Sequence, residues 1–509
     1  MESKVLLALS VSVLVIVLLS KLKSRLVAKP KLNLPPAPWM LPVIGSLHHL
    51  VTSPRPHQAM RQLANKYGPI MMLRLGEVPA LVLSSPEAAQ EVLKTHDLKF
   101  ADRNINPTLY TFSFNCTDLT FAPYGERWRQ LRKISVMELL NPAPARLLSY
   151  RRIREEEVSR FIQNLATFAG TASPVNLTKM ISNLINDTFV RQSVGSRCKY
   201  QDEYLDAFQT SLRQTSSMTV ADLFPSSRVL QFFATAPRKV LASRIRMQRV
   251  LKQIVQEKTE AMDRGDDETA GQDCFLGVLI RLQKERSTPI PLTEDTIVAL
   301  MFNMFAAGSE TSSIVLNWCM TELIRSPAVM AKAQAELRDA FQGKNKITES
   351  DIQGLPYLTM VAKEALRLHP PGPFLIPRMC RETCQIMGYD IPKGTVVFLN
   401  AWAIARDPKY WDDPEEFKPE RFENSNLDYK GTNYEYLPFG SGRRICPGIN
   451  LGVDNFVFAL ACLLYHFDWK LPAGIEPKDV DMCEASGMAA SKKTGLILHP
   501  VTRIPPTNA

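Results

Sequence analysis

A mainly α fold with a smaller β region, built as one large domain, is what the sequence predicts, on three observations. Helical patterns greatly outnumber strand patterns. The longest, residues 293–325, is apolar on all sides through 298–307, as a helix crossing a large core must be. No linker, repeat or low-complexity tract divides the 509 residues, and a 45% hydrophobic composition suffices for a large core.

Taken in order, residues 5–20 carry no charge and are dominated by Leu and Val. They fall a little short of the ~20 residues of a spanning helix. Lys4 and Lys21 can snorkel, which extends the reach. No small-residue cleavage site follows, against a removed signal. Lys21, Lys23, Arg25, Lys29 and Lys31 follow instead, and the positive-inside rule then puts the body in the cytosol. Residues 1–27 read as a membrane anchor and 28–40, with Pro35, Pro36 and Pro38, as a stiff basic hinge. Residues 41–509 are the folded domain. In this orientation the glycosylation sequons at Asn115, Asn176 and Asn186 stay unused.

Ile70–Leu75 and residues 80–84 flank Gly76-Glu77 as a hairpin. A second strand-rich patch spans about 385–399, broken at Gly388 and Gly394. Thr293 is placed to cap the long helix, with Glu294 and Asp295 in its first turn, and Pro327 ends it. At 1.5 Å per residue it is roughly 50 Å long. Residues 407–437, rich in Pro, Asp, Glu and Asn, read as a long ordered coil. A last apolar helix covers Ile449–His466.

Several functions are excluded. The net charge is +10, but no basic run is interleaved with aromatics, so no nucleic acid is expected. The positive excess suits an anionic membrane surface or an acidic redox partner. Nine cysteines without paired spacing point to a reducing compartment. Cys380 and Cys384 are spaced like half a metal site, with no second pair. Seven histidines show no ligand spacing, against histidine metal sites and histidine-driven nucleophiles.

The chemistry lies in Phe439-Gly440-Ser441-Gly442-Arg443-Arg444-Ile445-Cys446-Pro447-Gly448. Gly440 and Gly442 can take positive φ and let the backbone lie against a flat group. A turn there can aim N–H groups at the Cys446 sulfur. Phe439, Gly442, Arg444, Cys446 and Gly448 match F-x-x-G-x-R-x-C-x-G, which resembles the haem-ligand signature of the cytochrome P-450 superfamily, the haem-thiolate monooxygenases. The resemblance implies a cytochrome P-450-type domain over 41–509. It implies haem b (iron protoporphyrin IX) with Cys446 as the metal ligand, a thiolate that favours O–O cleavage.

Other segments resemble the same family in the same order. Ala307-Gly308-Ser309-Glu310-Thr311 resembles its oxygen-activation motif, which implies proton delivery by Thr311 and Glu310. Gly308, costly in a helix by about 1 kcal/mol, would leave space for a diatomic ligand. Glu364 and Arg367 resemble E-x-x-R and Pro419-Glu420-Arg421-Phe422 resembles P-x-R-F, implying a structural Glu364–Arg367–Arg421 cluster. Trp128 and Arg132, in W-x-x-x-R, and Arg378 are implied partners of the haem propionates.

Position in the family pattern implies a hydrophobic substrate pocket. Phe112 and Phe114 come from one segment, Phe302 and Ala307 from the long helix, Phe374, Leu375 and Ile376 from a third and Met488 from 486–490. The apolar patch at 223–233 resembles a membrane-facing substrate entrance.

The chain looks most like plant A-type microsomal members, especially grass terpenoid oxidases. That implies an endoplasmic-reticulum enzyme facing the cytosol. It would take electrons from NADPH through a reductase and hydroxylate a hydrophobic small molecule, a diterpene or sesquiterpene first. Phenolic or indolic substrates stay open. So does a haem-thiolate isomerase or dehydratase needing no reductase, which Thr311 and Glu310 disfavour. A non-enzymatic haem carrier or sensor would need no such pair.

Overall fold

The computed structural model describes residues 32–506 apart from 52, 54, 141–143, 172, 216–217, 266–273 and 486. The anchor at 1–27 and the first residues of the hinge lie outside the described residues. Residues 32–40 run without regular structure and are pinned to the β region. The Pro36 carbonyl accepts from Met72 N at 2.8 Å, and Asn33 N donates to Asp390 Oδ2 at 2.9 Å.

The helices that frame the site are, in chain order, α1 (Glu126–Ile134), α2 (Leu177–Val194), α3 (Gln201–Thr215), α4 (Ala236–Arg264), α5 (Glu294–Arg325), α6 (Pro356–Leu368) and α7 (Ile449–His466). Helix α5 starts where expected: the Thr293 hydroxyl accepts from Thr296 N at 3.2 Å. From Thr296 to Ile324 every residue is buried except Ala306, Ala307, Gly308, Glu310 and Thr311. That single break in an otherwise sealed helix is where the core opens. Helix α7 is long and apolar enough to cross a membrane, but it is mostly buried in the core beside α5.

The β region is a five-stranded sheet of β1 (Ile70–Leu75), β2 (Val78–Leu83), β3 (Asp102–Arg103), β4 (Arg378–Met379) and β5 (Val396–Leu399), in the order β1-β2-β5-β4-β3. The hairpin β1–β2 forms as its alternating apolar residues predict. The parallel pair β2–β5 joins Ala80 to Val396, with the helices in the crossover between them. Short β3 and β4 carry too little pattern to be read from sequence. Their pairing sets Arg103 directly opposite Arg378. Like charges so placed repel unless something anionic answers them.

Residues 407–437 form the expected coil, with one short 3-10 turn at Pro419–Phe422. Strands Val175–Asn176, Phe467–Lys470 and Ile497–Thr502 make a small second sheet that the sequence did not announce.

Candidate active site

The cysteine loop is closed on itself and clamped from outside. Gly440 and Gly442 take φ of +71° and +68°, the left-handed region open to glycine. A Cβ on Gly442 would meet the Leu93 carbonyl oxygen at 2.4 Å and Asp97 Oδ1 at 2.7 Å, so no larger residue fits. Cys446 N donates to the Phe439 carbonyl at 3.0 Å. Asp97 accepts from Arg443 N at 2.9 Å and from Arg378 at 2.7 Å, and Arg378 also donates to the Ser441 carbonyl at 2.7 Å.

Burial pushes the Cys446 thiol up. The Gly448 N–H and the Arg132 guanidinium pull it back toward the thiolate. A coordinated metal cation would complete the ionisation.

The sulfur lines a cleft of about 100 Å³. Phe439, Cys446 and Gly448 line it together with Asn303, Ala307 and Thr311 of α5. These three lie four residues apart, one stripe of the helix. The remaining wall is apolar, including Leu140, Val315, Leu366 and Phe456. A Cβ on Gly448 would meet only Leu140, at 3.9 Å, so open cleft rather than packing surrounds that glycine.

At one edge of the site lies a buried cationic cluster. Arg444 donates to the carbonyls of Ala101 at 2.8 Å and Ala122 at 2.6 Å, while its Nη1, though buried, has no partner. Burial, with Arg378 and Arg132 beside it, brings Arg444 down to about 10. Burial and the charges of Arg444 and Arg378 likewise hold Arg103 well below its ordinary value. Asp97 is shared with Arg443, and Asp102 with Arg381, so guanidinium groups outnumber carboxylates here. A flat apolar group with an anionic edge answers each of these features, and haem with its two propionates is such a group.

The expected propionate partners differ in detail. Arg132, Arg378 and Arg444 belong to the cluster. The Trp128 indole N–H donates to the Leu119 carbonyl at 3.1 Å. Its ring lies 4.3 Å from the Arg444 guanidinium, a cation–π support. Arg103 was missed, because its place depends on the pairing of two-residue strands.

On α5, Thr311 Oγ1 donates to the Ala307 carbonyl at 2.7 Å and lines the cleft. Glu310 lies one step round the helix, behind the wall, and burial raises its carboxyl toward neutrality. Gly308 lines the cleft, and its missing Cβ also admits the Phe189 ring of α2, which that atom would approach to 2.2 Å. Gly308→Ala is therefore expected to destabilise the protein by about 1–2 kcal/mol, overpacking outweighing the better helix former. Urea unfolding checks this, and Phe189→Leu in the same chain should restore most of the loss.

Glu364, Arg367 and Arg421 meet. Glu364 and Arg367 are fully buried and doubly bonded at 2.7 and 2.9 Å; Arg421 Nε reaches Glu364 at 3.0 Å. The substrate residues are brought together only in part. Of the eight, Ala307 alone lines the cleft. Phe112 and Phe114 close on Phe302 at 5.2 and 4.9 Å as one aromatic cluster. Phe374 turns away to Phe398 at 5.5 Å, in the packing of the β region. Leu375 leans on Gly440, the carbonyl of Ile376 accepts from Arg103, and Met488 packs against the helical core. Residue 486, which begins that segment, lies outside the described residues.

Asn303 and Asp118 were missed. Asn303 is the single polar residue between Ile297 and Ala307, so the stretch read as apolar all round held a visible exception.

Comparison with known proteins adds an independent finding. The family model described as cytochrome P450 matches residues 35–498. The chain is 63% identical to dolabradiene monooxygenase of Zea mays, over 100% of both chains. It is 58% identical to ent-cassadiene hydroxylase of Oryza sativa subsp. japonica, over 100% of this chain and 99% of that one. Among solved structures it resembles a zebrafish cytochrome P450 determined with abiraterone. That match has a TM-score of 0.73 and 24% identity, over 89% of this chain and 100% of that one.

Proposed function

The chain belongs to the cytochrome P450 family, and from that premise we propose that it hydroxylates a plant terpenoid hydrocarbon with Cys446 as the haem ligand. It is a haem-dependent monooxygenase, the class to which its relatives belong. One observation carries the site assignment: a single, mainly apolar cleft is lined by Cys446 together with Ala307 and Thr311. Haem, when bound, supplies dioxygen activation and the site for one-electron reduction.

This chain's residues divide the remaining work. Arg444, Arg132, Arg378 and Arg103 would hold the anionic edge of the haem. Gly448 N–H and Arg132 favour the ionised sulfur. Thr311 presents its hydroxyl at the wall, and the neighbouring Glu310, its carboxyl raised by burial, passes protons to it. The apolar walls exclude water and suit a substrate with few polar handles.

The terpenoid class follows from the relatives' names, dolabradiene monooxygenase and ent-cassadiene hydroxylase. Electrons come from NADPH through a reductase that docks on the basic surface near Cys446. Residues 1–27 anchor the protein in the endoplasmic reticulum, with 28–40 as the hinge and the catalytic domain in the cytosol.

The test is co-expression with a plant NADPH-dependent reductase. Dolabradiene, ent-cassadiene and ent-isokaurene are fed beside phenolic and indolic controls. A product heavier by one oxygen, labelled from ¹⁸O₂ and absent without reductase, is expected. Product formed without NADPH would favour the isomerase. Thr311→Ala should keep haem binding but lower product per NADPH by about tenfold or more. Unchanged coupling would remove Thr311 from the proton path.

A further inference from the structure

The α5 side of the cleft is joined to a distant loop by a buried polar pair. Asn303 Nδ2 donates to Asp118 Oδ2 at 2.9 Å, and Asn303 Oδ1 accepts from Leu119 N at 2.7 Å. The other oxygen of Asp118 accepts from Phe121 N at 3.0 Å. Both side chains are buried, Asp118 completely. Every bond they make crosses to, or lies within, the loop between Ser113 and Tyr124.

That loop is strained. Phe114, Asn115 and Cys116 in succession take φ of 52°, 60° and 58°. Left-handed backbone costs a non-glycine residue roughly 1–2 kcal/mol, and it persists only where the surroundings enforce it. The enforcement is visible at both ends. From α4, Arg244 donates to Asn115 Oδ1 at 2.7 Å and lies 5.3 Å from the Phe114 ring. At the other end stands Asn303. Between them, Phe112 and Phe114 press on Phe302, the neighbour of Asn303 on α5.

We propose that Asn303 and Asp118 are positioning residues, a buried latch that holds the aromatic loop shut against α5. By doing so they fix which carbon of the substrate faces the cleft wall of Ala307 and Thr311. This second clause rests on the cleft being the oxidation site; the latch itself does not. Severing the Asn303 bonds strands Asp118 Oδ2 and the Leu119 N–H, and the left-handed turn then relaxes outward.

Hydrogen exchange on the holoenzyme tests the latch without any substrate. In Asn303→Leu, amides of residues 113–121 should exchange at least about tenfold faster, while α7 and the Soret spectrum stay as in the parent. Equal acceleration throughout α7, or none in the loop, overturns the latch. If Asn303→Leu does not retain haem, Asn303→Gln keeps the amide one methylene displaced. A smaller acceleration in the same amides supports the latch, and none overturns it. With dolabradiene and reductase, a changed ratio of regioisomers with KM raised more than kcat is reduced supports the specificity role. An unchanged ratio overturns that role. Should the parent not oxidise dolabradiene, the same ratio is read on whichever fed hydrocarbon it does oxidise. If it oxidises none, the proposed substrate class and the specificity role fall together, while the exchange result still decides the latch.

Discussion

Cys446→Ser is expected to leave a folded chain that still accepts haem but whose reduced carbonyl adduct lacks the red-shifted Soret band of sulfur ligation. Monooxygenase turnover should fall by at least about a thousandfold, some 4 kcal/mol of barrier. Serine is smaller by little and makes the same backbone bond to Phe439, so the loop should survive. What disappears is the polarisable anion. A serine hydroxyl stays protonated at neutral pH, and neither the Gly448 N–H nor Arg132 can ionise it. The cationic cluster around Arg444 is untouched, so the anionic edge still binds. Retention of a sulfur-type spectrum in this variant would refute Cys446 as ligand, whatever the turnover.

The second large effect is expected at Glu364. Glu364→Ala removes the carboxylate that faces both Arg367 and Arg421, leaving the fully buried Arg367 without its counter-charge. Breaking one side of such a buried pair costs about 3–5 kcal/mol, a large part of a domain's stability. Urea unfolding and haem retention measure it. Arg367→Lys should be nearly as harmful. Besides Glu364, Arg367 donates to the carbonyls of Ala405, Pro414 and Glu416, at 2.7, 2.8 and 3.1 Å. A lysine offers three donors from one point and cannot span that fork. The coil it ties down leads into the cysteine loop, so haem loss should accompany unfolding. If Glu364→Ala unfolds within 1 kcal/mol of the parent, the cluster is not what holds this side of the molecule.

Long periodic elements and short spaced motifs were legible in the chain itself. Thr293 caps α5, Ile449–His466 is helical, and Ile70–Leu75 turns at Gly76 because local backbone preference and local pattern agree there. The cysteine loop was legible for the same reason, as its glycines are required by positive φ. The Trp128 bond to Leu119 was not legible, because spacing shows which face a residue shares, not which acceptor its N–H finds. The aromatic residues of the substrate side part company in the fold, which their type and spacing do not show. Phe374 and Phe302 are both large and apolar, yet one packs in the sheet and the other on the loop.

The sequence by itself determined that a lone thiol sits in a tight glycine turn ahead of an apolar helix, and that one long helix carries Gly308, Glu310 and Thr311 together. These are properties of neighbours in the chain, governed by φ preferences and helical period. Only the tertiary structure decided that Arg103 stands opposite Arg378, that Phe189 fills the gap over Gly308, and that Asp118 grips Asn303. Each of those joins residues far apart along the chain. Their meeting depends on how helices and two-residue strands pack to bury apolar surface while giving most buried polar groups partners, and local pattern carries no record of that choice.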